Sequence, residues 1–158
     1  MKTSQGYTML QIGLHWLIAA GVVFNYIFSD GMGKALDQRL EGQEVTVAVA
    51  PLHVWVGVVL LVLVLVRIAL RLVKGAPAQE PGLMGRLAIW MQVALYALIL
   101  LVPLAGGLTW FGGIEALGEV HAVLANLMVI LALGHAAMAI YHAVVLKDGV
   151  MSRMIRPV

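Results

Sequence analysis

Residues 52–73 read LHVWVGVVLLVLVLVRIALRLV, and this stretch decides the fold. From Val54 to Val66 it holds no charged residue. A helix that crosses a bilayer needs roughly 20 mainly apolar residues, and this run supplies them. Three further stretches meet the same test: 9–28, 87–108 and 120–146. The connections between them are polar or rich in breakers. The first carries Asp30, Lys34, Asp37, Arg39, Glu41 and Glu44, the second Gly75, Pro77, Pro81, Gly82 and Gly85, and the third Gly113, Glu115 and Glu119. The expectation is one all-α membrane domain over 1–158, an integral four-helix bundle. The first span has only Lys2 ahead of it and no small-x-small site in the right place, which argues against a cleaved signal peptide.

Composition agrees. Of the 158 residues, 62% are hydrophobic and 11% charged, against about 45–50% and 25% in an average soluble domain. A soluble chain of this size could not hide so much apolar surface, so lipid must cover it. The same numbers exclude a disordered chain, a collagen and a charged coiled coil. Cysteine is absent, which excludes disulfides, thiol catalysis, cysteine-held iron–sulfur clusters and covalently attached c-type haem.

The basic residues report orientation. Four spans put both termini and the second loop on one side, with Lys2, Lys74, Arg86, Lys147, Arg153 and Arg156, and with Arg67 and Arg71 at the end of span two. The other side holds Lys34 and Arg39. Eight against two places both termini in the cytoplasm by the positive-inside rule. Topology thus accounts for the net charge of +2, and nucleic-acid binding need not be invoked. The outer side is left acidic.

All five histidines, His15, His53, His121, His135 and His142, fall within or at the edge of the spans. Ionisable groups at that depth are costly and usually functional. One alone is as readily a hydrogen bond between helices. Five in a small bundle with few other polar partners favour a shared task. His121 and His135 are separated by about four helical turns, so they share a face at levels roughly 21 Å apart. Depth matching pairs His53 with His121 toward the outside. It pairs His15 with either His135 or His142 toward the inside. Two histidines from two helices at one depth suit a bis-imidazole haem. Zinc, which wants three or four converging ligands, suits them badly. The residue one turn after four of the histidines is small: Ala19, Gly57, Ala125 and Ala139. This leaves room for a flat ring, although small residues also serve plain helix packing. After His142 comes Leu146, which tilts the inner choice toward His135.

Arg67 repeats the spacing, lying one level inward of His53 on nearly the same face. Arginine binds carboxylates in a fork, so Arg67 is a candidate partner for haem propionates. Arg71 and Lys74 are equally well read as anchors of the span end. Trp16, Trp55, Trp90 and Trp110 lie near the span ends, where an interfacial aromatic belt is the default.

The fragments LQIGLHWL at 10–17, PLHVWVG at 51–57, VRIALRL at 66–72, VHAVLAN at 120–126 and LGHAAMAIYHAVVLKDGVMSRMIRP at 133–157 come in a recognisable order. Together they make the chain resemble the bacterial cytochrome b561 family, four-helix dihaem b cytochromes of the inner membrane. The resemblance implies His15, His53, His121 and His135 as axial ligands to the irons of two haem b groups. It pairs His15 with His135 and His53 with His121, and leaves His142 as a non-ligand. It further implies a quinone-linked redox protein, in one branch a superoxide oxidase that passes electrons from superoxide to ubiquinone. Superoxide would meet the outer haem near Lys34 and Arg39, and quinone the inner one near Arg71, Lys74 and the second loop. Two rival expectations stand beside it. One is an electron-relay anchor for a periplasmic dehydrogenase or hydrogenase. The other is a haem-free packing protein whose histidines bridge helices.

Overall fold

The computed structural model describes residues 3–4, 6–77 and 81–157; Lys2, counted above for orientation, lies outside them. Four long helices carry the apolar stretches: α1 (Met9–Ile27), α3 (Ala50–Lys74), α4 (Leu83–Gly112) and α5 (Ala116–Tyr141). Each is long and apolar enough to cross a membrane. Both α4 and α5 begin about a turn ahead of the stretch read from hydropathy. A π-helical turn, His142–Leu146, prolongs α5, and a short 3₁₀ turn follows at Met151–Met154.

The first connection is more than a polar loop. It contains α2 (Met32–Leu40), whose one buried residue is Ala35. Its apolar positions Met32, Ala35, Leu36 and Leu40 recur at helical spacing, but the element is too short and too charged to stand out from sequence. A two-residue parallel ladder joins β1 (Thr3–Ser4) to β2 (Ala76–Pro77) and ties the chain's start to the end of α3.

Local chemistry fixes the helix ends. Thr8 and Gln11 form a reciprocal capping box at the start of α1. Pro51 sits in the first turn of α3, where its missing N–H costs nothing. The four helices alternate in direction, with α1 packed on α3, α3 on α4 and α4 on α5. At Gly21 an added Cβ would lie 2.7 Å from Leu60, so glycine there permits the close approach of α1 and α3.

The interior is small. Ile18, Leu60 and Val64 form one buried cluster, and Leu98, Val102 and Met128 a second. Most other large apolar side chains point outward, including Val123, Ile130 and Leu133 on α5. A surface of this kind needs lipid as its solvent. The two clusters form an aliphatic block at mid-height. It separates an upper end, which carries α2, from a lower end, which carries the β1–β2 ladder and the turn at Met151–Met154.

Candidate functional site

Four of the five histidines come together as two facing pairs. At the upper end the rings of His53 (α3) and His121 (α5) have centroids 6.1 Å apart and planes at 79°. At the lower end His15 (α1) and His135 (α5) stand 6.4 Å apart at 81°. Met128, midway between His121 and His135, lies in the aliphatic block between the two levels. Metal–imidazole bonds of about 2.0–2.1 Å place the centres of two rings that share one ion roughly 6 Å apart. Both pairs match that span, and no hydrogen bond joins the rings of either pair among the described residues.

The upper rings are held by backbone. His121 Nδ1 lies 2.8 Å from the carbonyl oxygen of Val102, and His53 Nδ1 3.3 Å from that of Phe28. A carbonyl can only accept, so each Nδ1 carries the proton and donates it. The other nitrogen, Nε2, is then the unprotonated one that a metal takes. Gly106, one turn beyond Val102 on α4, makes room for this: a Cβ there would sit 2.9 Å from His121 Nδ1 and Cε1. The sequence signal was a Gly106–Gly107 pair inside an apolar helix, where glycine is costly without a packing reason.

A cavity of about 870 Å³ opens beside this pair, lined by Gly57 and Ala125 among others. Its size lies in the range of small-molecule and cofactor sites. Room beside the ring, a free Nε2 on each side and apolar walls fit a haem b. The group itself supplies reversible one-electron chemistry at its iron.

At the lower end the surroundings are cationic. Arg67 Nη1 donates to the carbonyl oxygen of Gln11 at 2.6 Å, and Arg71 Nη2 to Gln92 Oε1 at 2.8 Å. Both guanidinium groups lie over the ring of Tyr96, at 5.9 and 5.4 Å from its centre. Neither has a carboxylate within ion-pair distance among the described residues. Gln11 is the hub that sequence reading missed: it is buried, caps α1, donates to the Gly75 carbonyl at 3.1 Å and lends its own carbonyl to Arg67. Lys74 is exposed at the end of α3.

His142 stands apart. Its Nδ1 meets Asp148 Oδ2, whose carboxylate also accepts the Val150 N–H at 3.1 Å. These contacts hold the Asp148 carboxyl below its ordinary range, the His142 contact contributing most. The tail then returns to α1, where Trp16 Nε1 donates to the Met154 carbonyl at 3.0 Å. At the upper end Lys34 is exposed. Arg39 is engaged: its Nε donates to the Trp110 carbonyl at 2.8 Å while the guanidinium lies over the Trp110 ring.

Paired intramembrane histidines at two levels of a four-helix bundle define a membrane cytochrome of the b type. A family model described as prokaryotic cytochrome b561 matches residues 6–157. The chain is 44% identical, over 99% of its length and 99% of the relative's, to cytochrome b562 of Cereibacter sphaeroides. No solved structure matches it. The chain belongs to the prokaryotic cytochrome b561 family. It is a multi-pass bacterial membrane protein that binds haem b and transfers electrons with a redox partner.

Proposed function

We propose that the chain holds two haem b groups, one between His53 and His121 and one between His15 and His135, and carries electrons across the inner membrane to ubiquinone. The observation that carries this is the pair of facing histidine couples at 6.1 and 6.4 Å on two levels of one bundle. The upper end faces the periplasm and both termini the cytoplasm, from the distribution of Lys and Arg. The chain's own groups divide the work. The carbonyls of Val102 and Phe28 hold the ligand tautomers, Arg67 and Arg71 supply positive charge to anionic groups at the lower end, and the aliphatic block keeps water from joining the two levels. Quinone docks at the lower end near Arg71 and Lys74.

For the periplasmic donor, the family resemblance favours superoxide, which makes the chain a superoxide:ubiquinone oxidoreductase. A second reading is an electron relay that serves a periplasmic dehydrogenase or hydrogenase. One observation favours it: Asp37, Glu115 and Glu119 line the upper cavity, and Arg39 is committed to Trp110. An acidic rim repels a small anion and attracts a cationic surface. The purified protein decides between them. Superoxide-driven reduction of a ubiquinone analogue, lost when haem is removed, supports the first; no such reduction, with electron uptake from a periplasmic partner that weakens with salt, supports the second.

A further inference from the structure

The upper cavity contains a buried polar atom that nothing satisfies. Asn25, near the end of α1, donates its Nδ2 to the His53 carbonyl at 3.0 Å. That contact fixes the amide, because the opposite flip would set two acceptors together. Oδ1 is then buried with no partner among the described residues. A buried acceptor without a donor is destabilising, and native interiors rarely keep one.

The cavity's own hydroxyls do not supply the proton. Tyr26 donates to Asn126 Oδ1 at 2.8 Å, Ser29 to the Tyr26 carbonyl at 2.8 Å and Thr109 to the Ala105 carbonyl at 2.9 Å. Both histidine Nδ1 protons are committed to carbonyls. The missing donor therefore belongs to the occupant.

Charge narrows what that donor is. The titratable groups facing the cavity are Tyr26 from α1, Asp37 from α2, His53 from α3, and Glu115, Glu119 and His121 at the start of α5. From α4 come Thr109 and Trp110, which carry no charge. No Lys or Arg is among the described residues of its lining. The lower end differs, with Arg67 and Arg71 beside its pair and no carboxylate within ion-pair distance of either among the described residues. A carboxylate brought among carboxylates keeps its proton more readily than one brought among guanidiniums.

We propose that the haem held between His53 and His121 keeps one propionic acid protonated and donates that O–H to Asn25 Oδ1. The proposal rests on the reading that the upper cavity holds a haem. Asn25 is thus a binding residue for the cofactor's acid edge, and the two haems of one chain differ in charge as well as in ligand support.

Infrared difference spectroscopy between holoprotein carrying unlabelled haem and holoprotein carrying haem labelled with ¹³C at the propionate carboxyls tests this. The expected result is a protonated-carboxyl band that shifts with the label and that moves or disappears in Asn25→Leu. A pyridine haemochrome assay of the same sample separates the two failures. Fewer than two haems per chain overturns the underlying reading and the proposal together. Two haems without a label-sensitive protonated carboxyl overturns the proposal alone. A labelled band that Asn25→Leu leaves unmoved means that the protonated propionate does not meet Asn25, and this too overturns it. The labelled wild-type protein decides even where Asn25→Leu does not accumulate.

Discussion

The two histidine pairs look alike in ring spacing and differ in what supports them. At the upper pair, each ring is locked by a backbone carbonyl from another helix end or helix, beside an open cavity with an acidic rim. At the lower pair, support comes from charge and from neighbouring rings: Arg67 and Arg71 near Tyr96, and Trp16 edge-on to His15 at 5.4 Å. On the proposed reading, one pair would be prepared for ligation by fixing a tautomer and the other by supplying charge to an anionic group. The two routes predict different sensitivities to mutation.

The largest effects come from the rings themselves. His121→Ala is expected to lower the haem count from two per chain to one and to spare the lower site, and His135→Ala to do the converse. His142→Ala keeps both. Pyridine haemochrome counts with low-temperature spectra check this; loss of a haem in His142→Ala with a harmless His135→Ala would break the pairing.

Gly106→Ala comes next. The new methyl meets the His121 ring at 2.9 Å, so either the ring or α4 shifts. Overpacking of this kind costs about 1–3 kcal/mol, enough to lower upper-site occupancy several-fold at limiting haem. The lower site is expected to load normally. Equal loss at both sites would mean that Gly106 serves general helix packing and not the His121 ring.

Arg67→Leu is the smallest and sharpens the contrast. Removing a cation disfavours the reduced, less positive state, so the lower haem's midpoint potential falls. A partly screened charge is worth roughly 1 kcal/mol, or about 40 mV for one electron. The upper haem's potential stays within error. A redox titration that resolves both haems shows it, and no shift at the lower haem would return Arg67 to a role as span anchor.

Sequence reading reached the four helices because their length and hydropathy leave no other solution. It reached the histidine levels because helical periodicity converts residue spacing directly into depth. The supports were less legible. The Val102 and Phe28 carbonyls belong to the backbone, so no residue type advertises them. Asn25 and Gln11 are single polar residues in apolar spans, and their partners lie 28 and 64 residues away. Depth alone does not separate His142 from His135; the small residue after His135 and the family resemblance set His142 aside. In the structure the helix changes to π-helical at His142, and the ring meets Asp148. The engagement of Arg39 with Trp110 has no sequence signal, since α2 is short and charged and reads as a polar connection.

The carbonyl locks also bear on assembly. His53 is fixed by Phe28 at the end of α1, and His121 by Val102 on α4, so each half of the chain, α1–α3 and α4–α5, sets one upper ring within itself. Each pair then takes one ring from either half: His53 with His121, and His15 with His135. A group ligated by both rings therefore fastens two helical hairpins to each other. Its binding free energy becomes part of the free energy of bundle closure. In a cell short of haem, such a chain would keep the α3–α4 packing that joins its halves but would lack the free energy that shared ligation adds. Cofactor supply would then govern how much closed protein the membrane retains.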